Sequence, residues 1–281
     1  MKVIVAKHAG VCYGVQRALD LAQKTVAETP EREVHSLGPL IHNPQAVEQL
    51  HQSGVEVAGA VDDVERGALI IRSHGVAPEV IARAKERGLS VVDATCPHVS
   101  KAQEAARVLA SEGYSTVIVG EADHPEVAGI KAYAGEDALV ISDASELPAR
   151  IPSRRVGVVV QTTQVEEVLN DVVCSLLPRT NELRVYNTIC SATSLRQQAA
   201  RELAAQVDVV VVVGGHNSGN TTRLAEICRE VNPRTHHVET ADEVRAEWFD
   251  GAQVAGVTAG ASTPDEQMQG VIQKIEGMDI D

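Results

Sequence analysis

Three cysteines, Cys12, Cys96 and Cys190, stand 84 and 94 residues apart and leave 91 residues beyond the last. Each lies in a short loop of small or polar residues (GVCYGV, ATCPHV, TICSAT) ahead of a helix-patterned segment. The chain has no C-x2-C pair of the structural-zinc kind. Three thiolates brought to one centre by similar modules would make a soft-metal site suited to an iron–sulfur cluster, zinc or Cu(I). Pro97 follows Cys96 as proline follows a ligating cysteine in bacterial ferredoxins. A cubane cluster on three cysteines leaves one iron without a protein thiolate, able to act as a Lewis acid while the cluster passes electrons. The other two cysteines read as structural. Leu224, Ile227, Cys228 and Val231 follow the stripe of a core-facing helix, and Cys174 lies in the helix-patterned VEEVLNDVVCSLL.

Some 26 to 30 residues after each cysteine comes a polar loop: Ile41-His42-Asn43-Pro44, Asp123-His124-Pro125-Glu126 and His216-Asn217-Ser218-Gly219-Asn220. A second polar loop follows at offsets of 60, 65 and 68 residues: Arg72-Ser73-His74-Gly75, Gln161-Thr162-Thr163 and Thr258-Ala259-Gly260-Ala261-Ser262. Imidazole, hydroxyl and carboxamide donors in such loops can hold a phosphate without a basic surface. His42, His74 and His124 recur in them, whereas His35, His51, His236 and His237 call for no special role. The run Asn217–Asn220 leads into a helix pattern, so its amides and the helix dipole form a local anion site. Ala261-Ser262-Thr263-Pro264 reads as a second such start, with Ser or Thr capping and Pro in the first turn. His124 and Glu126 flank Pro125, and a carboxylate beside a histidine can relay protons. A zinc deaminase also begins H-x-E but needs a following P-C-x-x-C, which is absent.

The elements that must position these loops alternate. Strand candidates include Val3–Val5, Ala68–Ile71, Val91–Asp93, Thr116–Val119, Ala138–Ile141, Val156–Val160, Val209–Val213 and Val254–Val257. Helix candidates include 15–27, 44–53, 78–87, 99–112, 164–177, 195–206, 220–231 and 264–276. Continuous apolar strands between helices predict an α/β fold with mostly parallel sheets covered on both faces. Ligands then bind at the carboxyl ends of the strands. The threefold recurrence of cysteine, helix, polar loop, helix and polar loop predicts three similar modules. We place them at 13–96, 97–188 and 189–281, with residues 1–12 packing against the third.

Composition narrows the function. A net charge of −14 over 281 residues argues against nucleic-acid binding. Aromatic content of 2%, with one Phe and one Trp, leaves an aliphatic core and no stacking platform for single strands. No signal-peptide stretch or membrane span is visible. Five cysteines without a secretion signal point to a reducing, cytoplasmic compartment.

The segments AGVCYGVQRAL, LGPLIHNPQAV, IIRSHGV, VVDATCPHVSK, GEADHPEVAG, VVVQTTQ, TICSATSLRQ, VVVGGHNSGNTTRL and GVTAGASTPD together resemble the 4-hydroxy-3-methylbut-2-enyl diphosphate reductases, in family order from residue 9 to 265. The resemblance implies a [4Fe–4S] cluster on Cys12, Cys96 and Cys190, with the three modules in pseudo-threefold arrangement around it. It implies reductive dehydroxylation of an allylic diphosphate to isopentenyl and dimethylallyl diphosphate, fed by a ferredoxin- or flavodoxin-like electron donor. Carried over residue by residue, Glu126 would deliver protons, assisted by Thr162 at the substrate hydroxyl and by His124, and both of these would also bind the substrate. His42, His74, Ser218, Asn220 and Ser262 would hold the diphosphate, and Thr193 would support Cys190. Many members have two serines before the asparagine of the third anion loop, where this chain has Ser218-Gly219. The backbone amide of Gly219 could replace the lost hydroxyl.

Overall fold

Five consecutive valines, Val209 to Val213, are all fully buried. Side chains alternate across a strand, so such a run requires cover on both faces. The computed structural model describes residues 1–29, 33–151 and 153–278. Its first third contains β1 (Lys2–Val5), α1 (Tyr13–Glu28), β2 (Val34–Leu37), α2 (Pro44–Gln52), β3 (Val55–Ala58), β4 (Ala68–Ile71), α3 (Pro78–Glu86) and β5 (Ser90–Asp93). Next come α4 (Pro97–Ser111), β6 (Ser115–Val119), α5 (Pro125–Ala134), β7 (Leu139–Ile141), β8 (Arg155–Val160), α6 (Glu166–Leu176) and β9 (Glu182–Tyr186). The rest is α7 (Ser191–Ala204), β10 (Val209–Val213), α8 (Gly219–Val231), β11 (Thr235–Val238), β12 (Val254–Ala259) and α9 (Asp265–Glu276). Helices α2 to α5 each begin on a proline, which lacks only an N–H that the first turn cannot use.

The described strands form three four-stranded sheets, ordered β1-β12-β10-β11, β3-β2-β4-β5 and β7-β6-β8-β9, and every pairing is parallel. The fold is therefore α/β in three similar modules. The chain divides into two compact units. One comprises Met1–Gln16, Ile41–Glu48 and Ser191–Asp281 and holds the first sheet. The other comprises Arg17–Leu40 and Gln49–Cys190 and holds the remaining two.

The β10 valines show how each face is filled. Val209, Val211 and Val213 pack with Met268, Val271 and Ile275 of α9 and with Phe249. Val210 and Val212 pack with Ala200 and Ala204 of α7 and with Leu224, Ala225 and Cys228 of α8. Cys228 thus lies in the core as its helical stripe predicts. Val231, at the end of the same stripe, is exposed because α8 ends there. Cys174 departs from its structural reading: it lies in α6 but faces solvent.

Helix α5 lies outside the sequence-based helix candidates. Glu126, Val127, Gly129 and Ile130 are all buried, and Val127 and Ile130 pack on Ala102, Ala105 and Ala106 of α4. A short helix buried on several sides carries little polar–apolar contrast for periodicity to detect. Strands β2, β3, β9 and β11 also lie outside the strand candidates. The last three are sheet edges, and all four carry polar residues that break the apolar run.

The three sheets share one local device. Gly38, Gly120 and Gly214 follow β2, β6 and β10, and their N–H groups donate to Ala58, Ile141 and Val238 (2.8–2.9 Å). Gly214 has φ +140°, and a Cβ there would lie 2.5 Å from Thr263 Oγ1. Only glycine fits that turn.

Candidate active site

Each cysteine follows the strand that pairs alongside the one ending in the second polar loop. Cys96 comes after β5, beside β4; Cys190 after β9, beside β8; and Cys12 after β1, beside β12. This adjacency lets every cysteine N–H donate to a carbonyl of that loop. Cys12 bonds Ala261 (3.0 Å), Cys96 bonds Ser73 (2.9 Å) and Cys190 bonds Thr162 (3.0 Å). All three cysteines are half-buried and none is in a disulfide. Cys96 is the N-cap of α4, where the helix dipole favours a negative ligand.

Two arginines missed by sequence reasoning brace the same backbone. Arg17 Nη1 donates to Thr95 O (3.1 Å), one residue before Cys96. Arg196 Nη2 donates to Gly10 O (2.9 Å), two residues before Cys12. Their signal was present: both stand five or six residues past a cysteine, in CYGVQR and CSATSLR.

The donor chemistry fits a thiolate-held cluster. Soft, half-buried sulfurs stand in anchored loops, whereas the fifth thiol, Cys228, is buried in apolar surroundings that push it up to about 12. Among the described residues, no three His, Cys, Asp or Glu side chains gather as a single metal ion would require. A four-iron cluster binds each thiolate at a different iron and does not need that convergence.

In the second unit the structure brings Glu126, Thr162, His124 and His74 together. Glu126 is only 2% exposed. Its Oε1 accepts the Thr162 N–H (2.6 Å), and its Oε2 accepts the Thr162 hydroxyl (2.8 Å). Burial pushes the Glu126 carboxyl up to about 7, against the two Thr162 hydrogen bonds that lower it, with Glu121 adding a small upward push. The other carboxylates of this loop, Glu121 and Asp123, are exposed. His124 caps α5, its Nδ1 accepting the Glu126 N–H (3.1 Å), which puts the neutral ring's proton on Nε2. The His74 ring meets the His124 ring edge-on at 5.6 Å.

In the first unit the anion-binding candidates cluster around the start of α8. Ser218 caps it by accepting the Thr221 N–H (3.4 Å), and Gly219 is its first residue. Asn220 is 6% exposed, yet neither its Oδ1 nor its Nδ2 has a partner among the described residues. A buried carboxamide left wholly unbonded costs several kcal/mol, on the order of 2–7. It is therefore positioned for a polar ligand. His42 belongs to this unit as well, and its carbonyl accepts the Ser262 hydroxyl (2.9 Å). Thr193 is buried in the first turn of α7.

One reading needs correction. Neither Ser262 nor Thr263 caps α9; the cap position is Pro264, without a side-chain bond. Ser262 is engaged with His42, and Thr263 Oγ1 donates to Val213 O (3.0 Å). Thr221 was not singled out, although its fully buried hydroxyl lacks a partner among the described residues and fills the space beside Gly260.

A family model described as LytB protein matches residues 3–276. The chain belongs to the LytB protein family. It is 51% identical over 264 residues to the 4-hydroxy-3-methylbut-2-enyl diphosphate reductase of Pelobacter propionicus, covering 94% of each chain. It is also 51% identical over 282 residues to the protein of that name from Geobacter sp. strain M21, covering all of this chain and 99% of that one. A solved structure described as (E)-4-hydroxy-3-methyl-but-2-enyl diphosphate reductase, the terminal enzyme of the non-mevalonate pathway, is 43% identical. It matches with a TM-score of 0.73 over 99% of this chain and 100% of that one. The E-1-hydroxy-2-methyl-but-2-enyl-4-diphosphate reductase of Plasmodium falciparum is 23% identical and shares the fold, with a TM-score of 0.92 over 99% of this chain and 89% of that one.

Proposed function

We propose that this chain is an oxidoreductase that converts (E)-4-hydroxy-3-methylbut-2-enyl diphosphate to isopentenyl and dimethylallyl diphosphate. Each turnover takes up two electrons and two protons and releases one water. The observation that carries the reading is 51% identity, across essentially whole chains, to proteins named for that reduction. A [4Fe–4S] cluster on Cys12, Cys96 and Cys190 supplies, when bound, the electrons and one iron free of protein thiolate. A ferredoxin- or flavodoxin-like donor in the cytoplasm feeds it.

The chain's own residues bind the substrate and move protons. Asn220, Ser218, Ser262, His42 and His74, with the Gly219 amide, hold the diphosphate. The unbonded Asn220 carboxamide supports this assignment, and so does the helix start beside it. Thr162 Oγ1 meets the substrate hydroxyl: with Glu126 protonated, its Oε2–H donates to Oγ1, the Thr162 hydroxyl proton passes to the substrate oxygen as the Oε2 proton replaces it, and that oxygen departs as water. A carboxyl near 7 both gives and regains a proton close to neutrality, as general acid–base work requires. His124 fixes the start of α5 and so the position of Glu126. We assign the modules to 13–96, 97–188 and 189–281, each containing the strands of one sheet apart from β1.

The test is anaerobic isolation followed by iron and sulfide counts and turnover with a reduced dye. The expected result is near four irons per chain and two electrons consumed per product. Turnover without any reductant would instead identify a cluster-dependent dehydratase.

A further inference from the structure

We infer that the second unit contains a separate binding site for a small organic monoanion with a short apolar tail, in a cavity of about 410 Å³ lined by Arg72. The volume is that of a small-ligand pocket. Its walls are largely apolar: Leu37 at the end of β2, Val61 after β3, and Val76 and Val80 around the start of α3. Ala128 of α5 closes another side.

Three charged side chains line the cavity, and two of them cancel. Arg83 grips Asp62 in bidentate fashion, with Nε on Oδ1 at 3.1 Å and Nη2 on Oδ2. Arg72 is different. Its guanidinium has no hydrogen-bond or ion-pair partner among the described residues, and its Nε is shielded from solvent. Burial pulls its proton affinity down, with no carboxylate to offset the loss.

The fold makes room for this cation. Its guanidinium lies over Gly38 (φ +70°), where a Cβ would stand 2.8 Å from Nη1. A half-buried guanidinium beside an apolar cavity is stabilised by a planar anionic group, which it can hold through two parallel bonds. One uncompensated charge fits one negative charge, and the aliphatic walls fit a short hydrocarbon tail. The site is not part of the machinery proposed above. Ala128 faces the cavity, whereas Glu126 on the same helix bonds Thr162 after β8. If that proposed machinery is right, a ligand here also leans on the helix that carries the proton donor.

The test is calorimetric titration of the anaerobic holoprotein with isovalerate, 3-methylbutane-1-sulfonate and neutral isoamyl alcohol. It needs no turnover, so it stands or falls apart from the proposed reaction. We expect one equivalent of an anion to bind, with the better of the two monoanionic probes identifying the headgroup as a planar carboxylate or a tetrahedral oxyanion. The alcohol should not bind. Arg72→Gln should weaken binding at least tenfold, and Val80→Trp, which fills the cavity from α3, should do the same. Saturating inorganic diphosphate should leave the affinity unchanged. The inference is overturned if neither anion saturates, if the alcohol binds equally well, or if diphosphate displaces the anion one for one. Binding within twofold of wild type in Arg72→Gln would also overturn it. Should that variant fail to fold by circular dichroism, retained binding in Val80→Trp overturns the inference in its place.

Discussion

Burial and hydrogen bonding act against each other on Glu126, and burial wins, leaving the carboxyl near 7. The folded chain therefore holds a proton there that the unfolded chain releases near 4.5. Stability from this proton is fully present below about pH 4.5 and is lost as pH rises through 7, a change on the order of 3 kcal/mol. Glu126→Gln removes that dependence. Urea unfolding at pH 5 and pH 8 should show the variant gaining on wild type at the higher pH; an unchanged gap would mean that Glu126 is not desolvated. The same variant should lose turnover by roughly 100-fold or more with its iron content intact, since it cannot deliver a proton. The motif HPE made Glu126 visible in the sequence, and the family resemblance set Thr162 beside it in the reaction, but the two hydrogen bonds that join them were not legible. Thr162 lies 36 residues away, and only the parallel pairing of β6 with β8 brings the two loops side by side.

The three first loops end in equivalent caps that differ in chemistry. Asn43 Oδ1 accepts the Ala46 N–H (2.9 Å), His124 Nδ1 the Glu126 N–H and Ser218 Oγ the Thr221 N–H. Superposed by cap, His124 corresponds to Asn43 rather than to His42, so the recurring histidines do not occupy one structural position. Capping and proton chemistry can thus be separated at position 124. His124→Ala should lower stability by about 1 kcal/mol, while His124→Asn should retain it within a few tenths. Both should slow turnover if the imidazole also takes part in the reaction. Equal stability of Ala, Asn and His there would remove the cap from the account. At this scale most strands and helices were legible because apolar runs and helical stripes are local patterns. Helix α5 was not, because a helix buried on several sides loses its periodic signature.

Across the whole chain, the sorting of cysteines is the decisive expectation. Serine at Cys12, Cys96 or Cys190 should each lower bound iron and bleach the cluster absorption, whereas Cys174→Ser and Cys228→Ser should keep both. Equal loss in all five would refute the sorting. Cys174 should react readily with a maleimide in the native protein and Cys228 should not, since one is exposed and the other has its thiol held up at about 12. Among the described residues, no helix is long and apolar enough to cross a membrane. By itself the sequence determined the α/β class, the threefold order of loops and the residues able to do chemistry. Strand runs, glycine turns and polar loop residues act over a few neighbours, and periodicity records them. The tertiary structure decided what each of those residues meets. It gave Glu126 its burial and Thr162, turned Ser262 from an expected cap into a bond with His42, set Arg17 and Arg196 against the cysteine loops, and left Arg72 beside a cavity without a counter-charge. Those outcomes depend on which strand lies beside which, and on how much water is excluded between them, and no local spacing encodes either.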